Sequence, residues 1–147
     1  MRSHRSILWP VVVSRLDAAY AVGILSQFMQ NPGQAHWEAL KQVMRYLGST
    51  KNLWLTFGGK TGGELLGYCD TDWASQPDQH SISRFSFHFG QGAVSWSSRK
   101  QNVIVLSSTE AEYIAQTHAA KESIWRCNFI SKMEGKKAEL LTLNCDN

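Results

Sequence analysis

A chain of 147 residues is long enough for one domain, or for a small domain with a connecting piece. With 43% hydrophobic and 11% aromatic residues it is not a disordered tail, and its formal charge of +3 permits nucleic-acid binding without arguing for it. Cys69, Cys127 and Cys145 form no C-x-x-C pair, which argues against a zinc site or disulfide framework and for a reducing compartment.

The predicted elements begin with a helix opened by Asp17. It carries the apolar run Ala18 to Leu25, then Phe28 and Met29, and Asn31-Pro32-Gly33 stops it. A second helix runs from about Gln34 to Leu47. Trp37, Leu40, Met44 and Leu47 recur on it at spacings of three and four, which makes one apolar stripe. Gly48 should end it, and Leu53 to Phe57 reads as a short strand. The glycine-rich stretch Gly58-Gly59-Lys60-Thr61-Gly62-Gly63 marks the best boundary, giving one domain over 1–60 and another over 61–147.

Beyond it the rhythm turns to β. Glu64 to Asp70 is an apolar run ending in acid. Arg84 to Phe89 alternates, with Phe85, Phe87 and Phe89 on one face and Ser86 and His88 on the other. Gly90-Gln91-Gly92 signals a hairpin, and Ala93 to Ser98 is the next strand. A long helix follows from Thr109 to about Met133, capped by Ser107, Ser108 or Thr109 and closed by Gly135. Leu140 to Cys145 is the last strand. The predicted fold class is α/β (α+β): three antiparallel strands, a helix, and a strand returning parallel through a right-handed crossover.

Three carboxylates occupy informative places. Asp70 ends the first strand, Glu112 lies in the first turns of the long helix, and Asp146 ends the last strand. If the first and last strands are parallel neighbours, Asp70 and Asp146 emerge at one edge, where α/β sheets favour ligand sites. Carboxylates held close repel one another, and Mg²⁺ or Mn²⁺ offsets that while keeping waters for substrate phosphates. Spacing alone does not distinguish such a site from turn and helix-start acids. No run is long and apolar enough for a membrane helix, and no signal peptide is read, so an intracellular protein, cytoplasmic or nuclear, is expected.

Several segments carry a resemblance. Gly67-Tyr68-Cys69-Asp70-Thr71-Asp72-Trp73-Ala74, Ala93-Val94-Ser95-Trp96-Ser97-Ser98-Arg99-Lys100-Gln101, Leu106-Ser107-Ser108-Thr109-Glu110-Ala111-Glu112-Tyr113 and Cys145-Asp146-Asn147 resemble, in order, the ribonuclease H domain of copia-type retrotransposon Pol polyproteins. Upstream, Ser14-Arg15-Leu16-Asp17-Ala18-Ala19-Tyr20, Asn31-Pro32-Gly33-Gln34-Ala35-His36-Trp37 and Arg45-Tyr46-Leu47-Gly48 resemble the end of the preceding reverse transcriptase. The resemblance implies a ribonuclease H-like mixed sheet preceded by two connecting helices. It also implies cleavage of the RNA strand of an RNA–DNA hybrid, with two Mg²⁺ or Mn²⁺ ions held by Asp70, Glu112 and Asp146. Asp70 would bridge the ions. Arg99, Lys100, Lys121 and Arg126 are candidates for hybrid phosphates, and Trp73 and Trp96 for stacking or for packing.

The pattern departs from the family in places. The family's fourth carboxylate falls well after Asp146, so the domain reads as incomplete, its cleavage as impaired, and its last strand as open to the rest of a polyprotein or another copy. A catalytically inactive remnant, or a nucleic-acid-binding module, is the competing expectation. Gln79-His80 replaces a basic pair, Arg84 replaces a glycine, and Leu16 replaces a proline.

Overall fold

The computed structural model describes residues 9–58, 65–135 and 141–145. The chain divides into two compact units, Met1–Leu55 and Thr56–Asn147. No described helix is long and apolar enough to cross a membrane.

In the first unit, residues 9–14 are helical, followed by α1 (Leu16–Gln27) and α2 (Gln34–Ser49). Val11, Ala18 and Val22 form its buried centre, against which Val43 and Leu47 pack. Gly48 does not end α2, which continues to Ser49. A single glycine inside a helix costs only about 1 kcal/mol, too little to stop it. The entry to α1 is fixed by charge. Arg15 donates from Nε and Nη2 to the Asp17 carboxylate at 3.0 and 2.7 Å, and Nη2 also reaches Thr50 Oγ1 at 2.6 Å. The Tyr46 hydroxyl donates to the same carboxylate at 2.7 Å, tying α2 to the start of α1. At the turn between the helices the Phe28 and His36 rings stack at 4.1 Å, and His36 Nδ1 accepts the Gly33 N–H.

The expected strand at Leu53–Phe57 is absent. The segment pairs in no described ladder and is exposed throughout; Leu53 donates its N–H back to the Thr50 carbonyl, and Gly58, just after the segment, donates to the Gly90 carbonyl. Apolar residues in a row do not make a strand without a partner to pair with.

The second unit is a four-stranded mixed sheet with one long helix against it. Its elements are β1 (Leu65–Asp72), β2 (Ile82–Phe89), β3 (Gly92–Lys100), α3 (Ser108–Glu134) and β4 (Leu143–Cys145). The sheet order is β3-β2-β1-β4, with β1–β2 and β2–β3 antiparallel and β4 parallel to β1. This is the ribonuclease H-like arrangement the resemblance implied. The β2–β3 turn sits at Gly90 and Gln91, both at positive φ, as a two-residue hairpin turn requires. In α3, Ser107 Oγ accepts the Glu110 N–H at 3.2 Å, and Gly135 closes the helix in the left-handed conformation.

Two features seat α3 on the sheet. Ala111, Ala115 and Ala119 recur every fourth residue and are fully buried, so a helix face of methyl groups lies close on the strands. Ala119 meets Cys69 and Phe87 of the sheet to form the core, with Leu65, Phe85, Val94, Leu141 and Leu143 around them. Gly67 makes room for this packing: a Cβ there would lie 2.7 Å from Phe87 Cε1 and 2.9 Å from Leu143 Cδ1.

Candidate functional site at the end of β1

Alternation along β1 sends Cys69 toward the core and Asp70 to an exposed position. Thr71, on the core side again, donates from Oγ1 to the Ala111 carbonyl at 3.3 Å. The buried Gln101, just past β3, donates from Nε2 to the same carbonyl at 2.9 Å and to Ser83 Oγ at 2.8 Å. Three strands thus hold the first turns of α3 at one point, next to Glu112. The result is a hollow lined by Cys69, Asp70, Thr71, Glu112, Ala115, Gln116 and Cys145.

Asp70 and Glu112 therefore meet at one hollow. Asp146 lies outside the described residues, and its neighbour Cys145 lines the same hollow through its pairing with Cys69. Among the described residues no three His, Cys, Asp or Glu side chains group as a metal site. Two carboxylates suit a hard divalent cation, which takes one or two of them and fills its remaining positions with water or phosphate oxygens.

Two features shape the chemistry here. Asp70 Oδ1 accepts the Thr71 N–H at 2.7 Å, while Oδ2 lies 3.6 Å from Arg84 Nη1. Arg84 is the cross-strand partner of Asp70, and its other terminal nitrogen pairs with Asp72. Deeper in, the Cys69 and Cys145 sulfurs are 2.7 Å apart. Burial, followed by the hydrogen bond to Cys145 and the charges of Cys145, Asp70 and Glu112, pushes the Cys69 thiol up to about 12.

The basic candidates divide. Arg99 and Lys121 are exposed. Lys100 pairs with Asp78, and this interaction lowers the Asp78 carboxyl below its usual range. Arg126 binds Glu122 at 2.9 Å and lies 4.8 Å from the centre of the Trp125 ring. Trp73 is half exposed and donates to the Val105 carbonyl at 3.5 Å. Trp96 is partly buried. The reading from sequence missed Gln101 as the tie between sheet and helix. It also missed the alanine stripe, whose four-residue spacing was the available signal.

Compared with known proteins, the chain is 42% identical over 143 residues to the retrovirus-related Pol polyprotein from transposon TNT 1-94 of Nicotiana tabacum, covering 97% of this chain and 11% of that protein. It is 36% identical over 135 residues to the retrovirus-related Pol polyprotein from transposon RE1 of Arabidopsis thaliana, covering 91% and 9%. Secreted RxLR effector protein 161 of Plasmopara viticola is 46% identical over 121 residues, covering 82% and 85%. The chain therefore spans about a tenth of the polyproteins and most of the effector protein. Neither a protein-family model nor a solved structure matches it.

Proposed function

The chain is similar over nearly its whole length to retrovirus-related Pol polyproteins of transposons, and from that premise we propose that its second unit is a copia-type ribonuclease H domain and its first unit the end of the reverse transcriptase. The observation that carries the proposal is the meeting of Asp70 and Glu112, distant in sequence, at one hollow beside the strand that leads to Asp146. Asp70, Glu112 and Asp146 would hold Mg²⁺ or Mn²⁺. The ions would supply activation of a water and stabilisation of the leaving oxygen in phosphodiester hydrolysis. The Thr71 N–H, bonded to Asp70 Oδ1, holds the orientation of that side chain. Glu112 is positioned by the bonds of Thr71 and Gln101 to the Ala111 carbonyl, one residue before it. Arg99, Lys100, Lys121 and Arg126 would meet the phosphates of an RNA–DNA hybrid. The side of β4 that faces no described strand would accept one from the rest of a polyprotein or from another copy.

The test is cleavage of an end-labelled RNA–DNA hybrid by pure protein with Mg²⁺ or Mn²⁺. Cutting of the RNA strand that requires metal and disappears in Asp70→Asn is the expected result. No cutting, or equal cutting by the variant, counts against it. A second reading, a module that binds hybrid without cutting it, is favoured by the Arg84 guanidinium at the Asp70 carboxylate. Hybrid retained and left intact in a gel-shift experiment is its signature.

A further inference from the structure

We infer that Cys69 and Cys145 form a reversible oxidation site, in which a hydroperoxide joins them into a disulfide that locks β4 onto β1. The two residues are direct register partners on adjacent parallel strands. Register partners on neighbouring strands project their side chains to the same face of the sheet. Strand neighbours stand about 4.8 Å apart, inside the roughly 4.4–6.8 Å that a disulfide needs between Cα atoms. The sulfurs themselves are 2.7 Å apart, and both cysteines are free thiols. Bond formation therefore needs little movement of the backbone.

The two thiols differ in access. Cys69 is 6% exposed, while Cys145 is partly exposed and lines the hollow. Cys145 is accordingly the first to react. Its sulfur attacks one peroxide oxygen; the O–O bond breaks, and the other oxygen leaves as water or alcohol, taking up the proton that the thiol gives up. The Cys145 sulfenic acid so formed is attacked by the Cys69 sulfur. The S–O bond breaks, the S–S bond forms, and water leaves with the Cys69 proton. Two electrons pass from the thiols to the peroxide, and a dithiol reductant reverses the process.

The bond would join positions 76 residues apart in sequence, across a pairing of three described residues. It would therefore add a covalent tie to a short strand otherwise held by this ladder, by the packing of Leu143 and by the Asn144 side chain on the Gly67 carbonyl, and would fix one wall of the hollow. The inference is independent of what the hollow binds. Cys127, partly exposed on α3 and not lining the hollow, serves as the internal control.

The test is a count of free thiols by N-ethylmaleimide labelling and mass spectrometry, in denaturant, before and after treatment of the folded protein with hydrogen peroxide. The reduced protein, with its three cysteines, should take three labels. The oxidised protein should take one, at Cys127, and yield a peptide pair linked through Cys69 and Cys145. Its melting temperature should rise by ~5 °C or more and return to the starting value with dithiothreitol. In Cys145→Ser the shift should vanish. Three labels remaining after a dose that oxidises the methionines would overturn the inference. So would a bond to Cys127, or linkage only between separate molecules. If the variant folds poorly, the wild-type peptide map still decides.

Discussion

Arg84 stands directly across the sheet from Asp70, with Nη1 3.6 Å from the Asp70 carboxylate, and spans to Asp72 with its second terminal nitrogen. A fixed cation thus sits where a divalent ion would have to compete for Asp70. Both partners are about a third or more exposed, so solvent screens the pair and its worth is about 1 kcal/mol or less. Replacing Arg84 by Gln should raise the affinity for Mn²⁺ by about fivefold at most, that 1 kcal/mol expressed as a ratio. Isothermal titration of the two proteins checks this; equal or weaker binding by the variant removes Arg84 as a competitor.

Gly67 carries a sharper expectation. Its missing Cβ leaves the space taken by the Phe87 ring and the Leu143 methyl. Gly67→Ala should overpack this point and cost about 1–3 kcal/mol. Urea unfolding followed by tryptophan fluorescence measures it. An unchanged midpoint would mean that Phe87 and Leu143 give way freely.

Gln101 is 2% exposed and holds the Ala111 carbonyl and Ser83 together. Gln101→Leu should cost about 1–3 kcal/mol, because Ser83 loses this partner in the interior and the Ala111 carbonyl keeps the Thr71 hydroxyl without the amide. If the domain cleaves hybrid, the variant should also lose activity under conditions where it remains folded, since the turn that carries Glu112 keeps the Thr71 tie and loses that of Gln101. Circular dichroism melts beside the cleavage assay separate the two effects.

The first unit has its own pH signature. Hydrogen bonds from Arg15, helped by that of Tyr46, lower the Asp17 carboxyl to about 2. A carboxyl whose folded pKa lies below its unfolded value stabilises the fold above the unfolded pKa, near 4. That contribution fades as the pH falls from there through about 2. Melting temperatures recorded from pH 5 to pH 2 should drop less in Asp17→Asn than in the wild type, because the variant has already lost the interaction. Parallel curves would show that Asp17 contributes nothing to acid sensitivity.

Much of the fold was legible where local chemistry and tertiary packing agree. Phe85 and Phe87 alternate with Ser86 and His88, and in the structure the two phenylalanine rings lie 5.5 Å apart while His88 reaches Ser86. Gly90-Gln91-Gly92 turns as read, and Ser107 and Gly135 bound α3. Leu53–Phe57 was misread because period and composition say nothing about whether a partner strand is present. The hollow was legible in outline: Asp70 near the end of the first strand and Glu112 in the first turns of the helix both line it, although β1 runs two residues past Asp70. The way it is held was not. A buried glutamine looks like any polar residue at a strand end, and the Arg84 pairing depends on a register that no single sequence prints.

The three-residue pairing of β4 has a further consequence, in motion. β1 and β2 share an eight-residue ladder, whereas among the described residues β4 pairs with β1 from Leu143 to Cys145. Short, marginal pairings open on their own, at far less cost than the whole domain. Amide hydrogens of β4 should therefore exchange with solvent long before those of β1 and β2, and the hollow breathes through this one wall while its floor stays shut.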